Sequence, residues 1–533
     1  MSGRKQSTLD TFGGTSDSPP PEGPRPAPAA SDWVEHPQIA RERLRAWPFQ
    51  ERLAKEALRR NLLVVLPTGL GKTVIAALTA AAVLEKGRGK VLFLAPTRPL
   101  VVQHARSFEE WFVSLPHAVF TGEARHPRRE GTWEAARAIF ATPQVILHDL
   151  LEGIYSLKDV DLIIFDEAHH ARGEYAYAKL APIYRAQRPE EGHVLALTAS
   201  PGSPSELVAK LGLDGVEARE REDPEVAEYV QSIDHSTVRV SLTPEQTEAI
   251  RFLTTAAREE MVRLQRYGFL RRKKLTVTSI KDLVDVRKEI WARPGSTGLK
   301  FQALGRLGMA QHMLHGVELI EREGLRPFVE YARRLQTTST KRLDQRFLAH
   351  PSVVKALEIA ESSLTGGAEA SHPKVERLTE IVRELLSEKP SAKVLVFAEY
   401  RDSVRTLVEH LRSVGISVES FVGQARRSAE DPGMSQREQV ARIESFKAGK
   451  FSVLVASRVA EEGLDIPQVD LVVEYDVLSS SLRTVQRHGR TGRTTAGRVV
   501  SLVAEGTKEE RYRVRAAEKG SRTRRALRNL STR

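Results

Sequence analysis

The segment LLVVLPTGLGKT, residues 62–73, joins an apolar run to a glycine-rich turn and then to a helical stretch. The apolar run predicts a buried strand, and the turn has the spacing of a phosphate-binding loop, with Leu66 in place of the usual first glycine. In such a loop the backbone N–H groups and the N-terminus of the next helix bind phosphate. Lys72 is predicted to reach the β- and γ-phosphates, and the Thr73 hydroxyl to coordinate Mg²⁺. The candidate nucleotide-binding residues of the loop are Thr68, Gly69, Gly71, Lys72 and Thr73.

Two adjacent carboxylates, Asp166 and Glu167, follow a second apolar run at residues 162–165. Their position at the end of a buried strand favours catalysis over a solvated loop pair. Asp166 is predicted to hold Mg²⁺, and Glu167 to polarise the attacking water.

A third motif, QRHGRTGR at residues 486–493, places arginines on a glycine-punctuated turn. Arg490 and Arg493 suit fingers that stabilise the charge developing on a γ-phosphate, and Gln486 is a further catalytic candidate. Because this motif lies far downstream of the loop, ATP would sit between two α/β units, and hydrolysis would open and close the cleft.

Short apolar runs alternate with helical stretches in two separate regions, which predicts an α/β fold with two parallel sheets. The region between them has helical periodicity and few strand candidates, so an all-helical insertion is expected. A proline-rich N-terminal stretch is predicted to be a disordered tether. The predicted divisions are a tail at 1–32, a first domain at 33–203, the insertion at 204–370, a second domain at 371–512 and a basic tail at 513–533.

The composition narrows the class of protein. The 533 residues include no cysteine, which excludes disulfides, a thiolate nucleophile and Cys-ligated zinc. The formal net charge is +12, with +11 at residues 251–350 and +8 at residues 511–533, so the remainder is about −7. Positive charge confined to two segments indicates a polyanionic partner. No apolar run approaches the length of a membrane span, so a cytoplasmic protein without a membrane partner is expected.

These motifs together resemble the superfamily 2 helicases, and within them the archaeal Hef and Fanconi anaemia M group. The resemblance runs from about Gln38 to Tyr512 and implies two RecA-like domains. It rests on DEAHH, VAEEGLDIP and QRHGRTGR and on the long insertion between the domains, which in this family grips duplex or branched DNA. The insertion includes the basic run Arg271, Arg272, Lys273 and Lys274.

The resemblance also implies roles for residues outside the phosphate-binding loop. Gln50 would read adenine, and Gly463 and Asp465 would approach the nucleotide. The residues implied to couple ATP to nucleic acid are His169, Thr198 and Ser200. The residues implied to contact the nucleic-acid strand are Arg98, Thr121, Gly122, Thr142 and Ser457.

Gln6, Leu9 and Phe12 have the spacing of a sliding-clamp-binding peptide at the tip of the tether. In that peptide Leu9 and Phe12 would enter a hydrophobic pocket while Gln6 hydrogen-bonds beside it. A sliding clamp is therefore an expected partner.

The sequence leads to an ATP-dependent DNA helicase or translocase acting on stalled forks and Holliday junctions, 3′ to 5′ by family analogy, and associated with the nucleoid. We find no nuclease motif of the kind that Hef proteins often carry, so a helicase-only form with a separate nuclease is expected. Three alternatives stay open: an ATPase stimulated by duplex RNA, a clamp-tethered junction scaffold without catalysis, and a duplex translocase that does not separate strands.

Overall fold

The apolar runs predicted as strands lie at the centres of two separate parallel sheets in the computed structural model of the chain. A helical insertion lies between the two sheets along the chain, as the sequence predicts. The structure describes residues 32–86, 89–122, 129–188, 192–270, 280–292, 296–365, 372–425, 433–460, 466–478, 480–492 and 496–531.

The first domain is built on a seven-stranded parallel sheet whose order is β5-β6-β4-β7-β8-β3-β9. A short antiparallel ribbon of β1 and β2 precedes the sheet. The strands are β1 Asp32–Trp33, β2 Arg45–Ala46, β3 Leu62–Val65, β4 Lys90–Leu94, β5 His117–Phe120, β6 Ala138–Ala141, β7 Val160–Phe165, β8 His193–Thr198 and β9 Gly215–Ala218. The helices are α1 Pro48–Ala57, α2 Lys72–Lys86, α3 Arg98–Trp111, α4 Arg129–Ala135, α5 Pro143–Leu151, α6 Ala176–Gln187 and α7 Pro204–Leu211.

The insertion consists of helices that pack around a core of their own, with α8 and α10 as its long antiparallel members. The helices are α8 Pro244–Arg266, α9 Ile280–Ala292, α10 Thr297–Glu323, α11 Leu325–Thr338, α12 Arg342–Leu348 and α13 Pro351–Thr365.

The second domain has a six-stranded parallel sheet of order β10-β15-β14-β11-β13-β12. Its strands are β10 Ile233–Val240, β11 Val394–Phe397, β12 Val418–Phe421, β13 Val453–Ala456, β14 Leu471–Glu474 and β15 Gly497–Ala504. Its helices are α14 Pro373–Glu388, α15 Arg401–Ser413, α16 Gln436–Lys447, α17 Ser481–His488 and α18 Lys508–Ser531.

Two strands fall inside the segment 204–370 that the sequence predicts to be all helical. β9 pairs with β3 at one edge of the first sheet, and β10 pairs with β15 at one edge of the second. Edge strands lack the continuous apolar run of a central strand because much of their surface is solvated. The helices of the insertion therefore occupy residues 244–365.

The segment 513–533, predicted as a basic tail, belongs to α18 as far as Ser531. Near the start of α18, Glu509 forms a buried ion pair with Lys374 of α14. Near its end, Leu527 joins the core of the first domain, and the Thr523 hydroxyl donates to the carbonyl of Gly202 at 3.0 Å. The helix therefore connects the second domain back to the first.

Replacing Leu527 with alanine should lower the free energy of unfolding by about 2 kcal/mol, because the change removes a buried side chain from the first-domain core. Chemical denaturation measures the effect. Val514→Ala, at an exposed position of the same helix, is the matched control and should change the value by less than about 0.5 kcal/mol. Equal effects of the two substitutions would contradict the packing of α18 on the first domain.

The end of α10 meets the second domain through buried charged groups. His372 Nε2 donates to the carbonyl of Glu321 at 3.0 Å. The pKa of the Glu321 carboxyl is raised to about 7, chiefly by burial and in addition by the nearby negative charge of Glu509. Between the ordinary value of 4.5 and about 7, the unfolded chain releases this proton while the folded chain retains it. Folding stability therefore falls as pH rises through that window.

Glu321→Gln should flatten this fall, since the amide does not titrate. Between about pH 5 and pH 8, the free energy of unfolding of the wild type should fall by up to about 3 kcal/mol more than that of the variant. Urea denaturation at a series of pH values measures the difference. Glu323, whose pKa burial also raises to about 7, is present in both proteins, and parallel pH profiles would contradict the assignment to Glu321.

Among the helices that the structure describes, none combines the length and the apolar character that crossing a bilayer requires.

Candidate functional site

The phosphate-binding loop lies between β3, whose residues are all buried, and the first turn of α2. Gly69 and Gly71 have φ values of 92° and 68°, in the left-handed region that favours glycine. Lys72 is the first residue of α2, and its Nζ donates to the carbonyl of Leu66 at 3.2 Å. The sequence from strand to loop to helix therefore has the geometry that phosphate binding at a helix N-terminus requires.

Gln50 is buried beside this loop near the start of α1. Its Nε2 donates to the carbonyl of Leu70 at 3.0 Å, and its Oε1 accepts from the N–H of Trp47 at 2.8 Å. A Cβ atom on Gly71 would lie 2.3 Å from Gln50 Nε2, so glycine is needed at that position. The side chain predicted to read adenine is thus joined directly to the loop predicted to bind phosphate.

Asp166 lies at the end of β7 and is 6% exposed. The Nε2 of His104, from α3, lies 2.9 Å from Asp166 Oδ2. Burial alone would raise the pKa of Asp166, but the His104 hydrogen bond and the attraction of His104 and Lys72 hold the pKa below its ordinary value. The Tyr177 hydroxyl adds support by donating to the backbone carbonyls of Asp166 and Leu94. Asp166 is therefore an ionised carboxylate in a fixed position close to Lys72.

Glu167 has a left-handed backbone, with φ 46° and ψ 50°, which is unusual for a residue with a long side chain. Such conformations cost free energy and are concentrated at functional sites. Its Oε2 lies 3.3 Å from Nδ1 of His169, and the same Nδ1 lies 3.2 Å from the Thr198 hydroxyl. The N–H of Ser200 donates to that hydroxyl at 3.2 Å.

The carbonyl of Thr198 also accepts from the N–H of Leu66 at the start of the phosphate-binding loop, at 3.1 Å. The residues predicted to couple ATP to nucleic acid therefore contact both Glu167 and the loop.

The arginine-rich turn of the second domain, the described residues 486–492 of the QRHGRTGR motif, faces the phosphate-binding loop of the first. A Cβ atom on Gly489 would lie 1.9 Å from the Thr68 hydroxyl oxygen, so the two domains touch at this point. Gln486 and Arg490 are buried on either side of Gly489, and Arg493 lies outside the described residues. A cavity of about 730 Å³ extends from this contact, between Pro67 and Thr68 on one side and Gly489 on the other, toward α18.

Arg487 has a different environment from Arg490. It is fully buried inside the second domain, its guanidinium lies 4.9 Å from the centre of the Phe397 ring, and it donates to the carbonyl of Asp476 at 2.8 Å. His488, next in the chain, lies 3.3 Å from a carboxylate oxygen of Glu474. Burial would raise the pKa of Glu474, but His488, Arg487 and a hydrogen bond from Ser501 lower it to about 2. The ionised carboxylate of Glu474 therefore helps to fix the position of the arginine-rich turn.

The candidate residues for contacting the nucleic-acid strand follow the carboxyl ends of β-strands in both sheets. In the first domain they are Arg98 after β4, Thr121 and Gly122 after β5, and Thr142 after β6. Ser457 follows β13 in the second domain, where its N–H donates to the carbonyl of Phe421. Arg98 bridges the domains, since its guanidinium donates to the side chain of Gln436 at 3.3 Å.

Several predicted site residues lie outside the described part of the chain. They are the peptide residues Gln6, Leu9 and Phe12, the basic run Arg271, Arg272, Lys273 and Lys274, and Gly463, Asp465 and Arg493.

The comparisons with known proteins agree with this arrangement. A DEAD/DEAH box helicase model matches residues 47–208, and a helicase conserved C-terminal domain model matches residues 374–495. The crystal structure of the Pyrococcus furiosus Hef helicase domain superposes with a TM-score of 0.68 at 38% identity, covering 87% of this chain and 97% of that one. The chain belongs to the Hef-like DEAD/DEAH box helicases.

Longer relatives of this Hef-like chain carry names from both nucleic-acid classes. A Methanocaldococcus jannaschii protein, provisionally described as an ATP-dependent RNA helicase, is 33% identical over 93% of this chain and 63% of its own length. The ATP-dependent DNA helicase mph1 of Neurospora crassa is 33% identical over 90% of this chain and 43% of its own length. The chain thus spans less than two thirds of the length of these relatives.

Gly489→Ala should reduce ATP hydrolysis by about a hundredfold, because the methyl group would displace the arginine-rich turn from Thr68. Steady-state ATPase assays measure the change. Gly131→Ala in α4 is the control, since nothing lies within 4 Å of its added Cβ, and it should leave hydrolysis unchanged. Full activity of the Gly489 variant would show that this contact does not form during turnover.

Proposed function

We propose that this protein is an ATP-driven DNA helicase or translocase that acts on branched DNA, such as stalled forks and Holliday junctions, and moves 3′ to 5′. The contact between Thr68 and Gly489 carries the proposal, because it brings the arginine-rich turn of one domain against the phosphate-binding loop of the other. The candidate residues for contacting the nucleic-acid strand, on both sheets, and the helical insertion would supply surfaces for DNA. DNA contacts would be mainly to phosphate and therefore sensitive to salt.

The residues of the cleft divide the chemistry of hydrolysis. Lys72 would bind the β- and γ-phosphates, and Glu167 would orient the attacking water and accept its proton. Arg490, with Arg493, would stabilise charge on the γ-phosphate as the domains close. The chain of contacts from Glu167 through His169 to Thr198 would transmit the state of the phosphate to the strand-binding residues.

Mg²⁺ fits the oxygen donors at this site. Asp166 is held ionised, and Thr73 is in the first turn of α2 beside Lys72. Among the described residues, no three His, Asp or Glu side chains converge as a metal cage. This suits an ion bound through one carboxylate, a hydroxyl, water and substrate phosphates. When bound, the ion would neutralise charge on the β- and γ-phosphates.

The first test is the ATPase rate with fork DNA, linear duplex DNA, single-stranded DNA and duplex RNA. Strong stimulation by fork DNA would support the proposal, and fork-unwinding assays with 3′ and 5′ tails would then test the polarity. Absence of stimulation by any nucleic acid would overturn the motor and leave a clamp-tethered junction scaffold.

A duplex-RNA-stimulated ATPase is the second candidate, since the Methanocaldococcus relative is described as an RNA helicase. Motors that contact the backbone distinguish RNA from DNA through the 2′-hydroxyl. Stimulation by duplex RNA alone would support this candidate and overturn the first.

We also propose that the N-terminal peptide with Gln6, Leu9 and Phe12 recruits the protein to a sliding clamp on chromosomal DNA, where a separate nuclease would act. The spacing of these residues supports the proposal. A clamp titration with the full chain should show binding that Leu9→Ala with Phe12→Ala removes. Equal binding by both proteins would overturn it.

A further inference from the structure

One end of the insertion exposes an unusual concentration of large hydrophobic side chains. Eleven such side chains are strongly exposed among the described residues, and four of them lie on α9 and the first turns of α10. They are Val284 at 45% exposure, Trp291 at 52%, Leu299 at 40% and Phe301 at 61%. Exposed aromatic side chains grouped in this way mark a binding surface more often than isolated ones do.

Trp291 and Phe301, together called the aromatic tip, contact each other across the two helices. Their ring centres are 6.1 Å apart with the planes at 83°, the edge-to-face geometry of a favourable aromatic pair. Lys300 Nζ donates to the carbonyl of Trp291 at 3.3 Å, which joins the start of α10 to the end of α9. The aromatic tip therefore has a defined shape.

The opposite side of α9 is packed, so the exposed side is not simply a helix without a core. Leu283, Val286 and Ile290 are fully buried in the core of the insertion. The helix thus presents one side to the insertion and the other, which includes Trp291, to solvent.

The solvent side of α9 places two cations beside the exposed hydrophobic side chains. At 100° per residue, Val284, Arg287, Lys288 and Trp291 fall within about 100° of arc. Arg287 and Lys288 are exposed between the two hydrophobic side chains. Asp285 and Glu289 are also exposed, and they lie next to this arc rather than within it. The surface next to Trp291 therefore combines cations with an aromatic ring.

We propose that the aromatic tip stacks against the exposed base at a junction between single-stranded and double-stranded DNA, while Arg287 and Lys288 bind the adjacent phosphates. Flat rings beside cations form a stacking platform for unpaired bases, and this binding tolerates any sequence. The segment 251–350, which includes the aromatic tip, carries a net charge of +11, and this favours a polyanion such as DNA over a protein partner. This inference rests on the proposed function and names the side chains of the insertion that would meet the branch point.

The test compares the full chain with Trp291→Ala, Phe301→Ala, the double variant and Trp291→Phe. Val354→Ala, at an exposed position on α13 of the same insertion, and Trp33→Ala, an exposed tryptophan outside it, are the controls. The readouts are affinity for fork and for blunt linear duplex DNA, and the fluorescence of 2-aminopurine placed at the junction or well inside the duplex.

The double variant should bind forks about tenfold more weakly while its affinity for blunt duplex stays within about twofold. It should also lose the fluorescence change at the junction, and Trp291→Phe should retain most of both properties because phenylalanine still stacks. Equal fork affinity and fluorescence in the wild type and the double variant would overturn the inference and leave the proposed function in place. Failure of the wild type to bind any DNA would overturn the proposed function itself.

Discussion

Glu167→Gln should reduce ATP hydrolysis by about a thousandfold or more while ATP binding persists. Glutamine retains the size and backbone preferences of glutamate but does not accept the proton of the attacking water. The left-handed backbone at Glu167 and the contact with His169 hold the carboxylate in one position, so that a neighbouring acid does not replace it. Single-turnover hydrolysis with fork DNA, together with equilibrium binding of a fluorescent ATP analogue, measures the two effects separately.

Glu174→Gln is the matched control, because Glu174 is a nearby carboxylate that is almost fully exposed and pairs with Lys179. It should hydrolyse ATP at the wild-type rate. Loss of nucleotide binding in the Glu167 variant, or hydrolysis within about tenfold of the wild type, would contradict a role in activating water.

The sequence predicts those parts of the site whose residues are adjacent in the chain. The loop ending at Lys72 and the pair Asp166 and Glu167 each follow an apolar strand, and in a parallel sheet such positions share one edge. Their placement in the structure agrees with that expectation. Such short motifs can be recognised because the strand that positions them lies in the same stretch of sequence.

The sequence does not identify the supporting residues His104 and Tyr177, because their roles depend on packing between distant elements. His104 lies on the buried face of α3, and its sequence position resembles that of any core histidine until the fold brings it 2.9 Å from Asp166. Tyr177 is likewise a buried aromatic residue of α6 whose hydroxyl happens to meet the end of β7. Neither residue has a local signal in the sequence that distinguishes it.

The sequence-based predictions miss β10 and α18, at the edges of the domains, for a related reason. β10 carries polar residues, since one of its sides is partly solvated, and α18 has the composition of a basic tail although Leu527 is buried in the first domain. Hydropathy records the average character of a segment, whereas a few anchoring contacts, including that of Leu527, decide where the helix lies. The positions of β10 and α18 therefore become clear only from the three-dimensional structure.

Arg490→Ala and Arg487→Ala should fail for different reasons, although the two arginines are three residues apart in one motif. Arg490→Ala should lower kcat by about a thousandfold, as expected for loss of an arginine finger, with a smaller loss of stability than Arg487→Ala causes. Arg487→Ala should lower the free energy of unfolding of the second domain by about 3 kcal/mol or more, because it empties a fully buried site between Phe397 and Glu399. ATPase rates and denaturation curves of both variants measure the contrast.

Lysine at each position sharpens the distinction. Arg490→Lys retains the charge but not the planar fork that binds two phosphate oxygens, so its kcat should stay well below that of the wild type. Arg487→Lys should also destabilise the domain, since lysine does not stack on Phe397 and donate to the Asp476 carbonyl in the same plane. If Arg487→Ala instead unfolds like the wild type and loses only kcat, then Arg487 reaches the nucleotide during turnover, and the second domain must rearrange around it when the cleft closes.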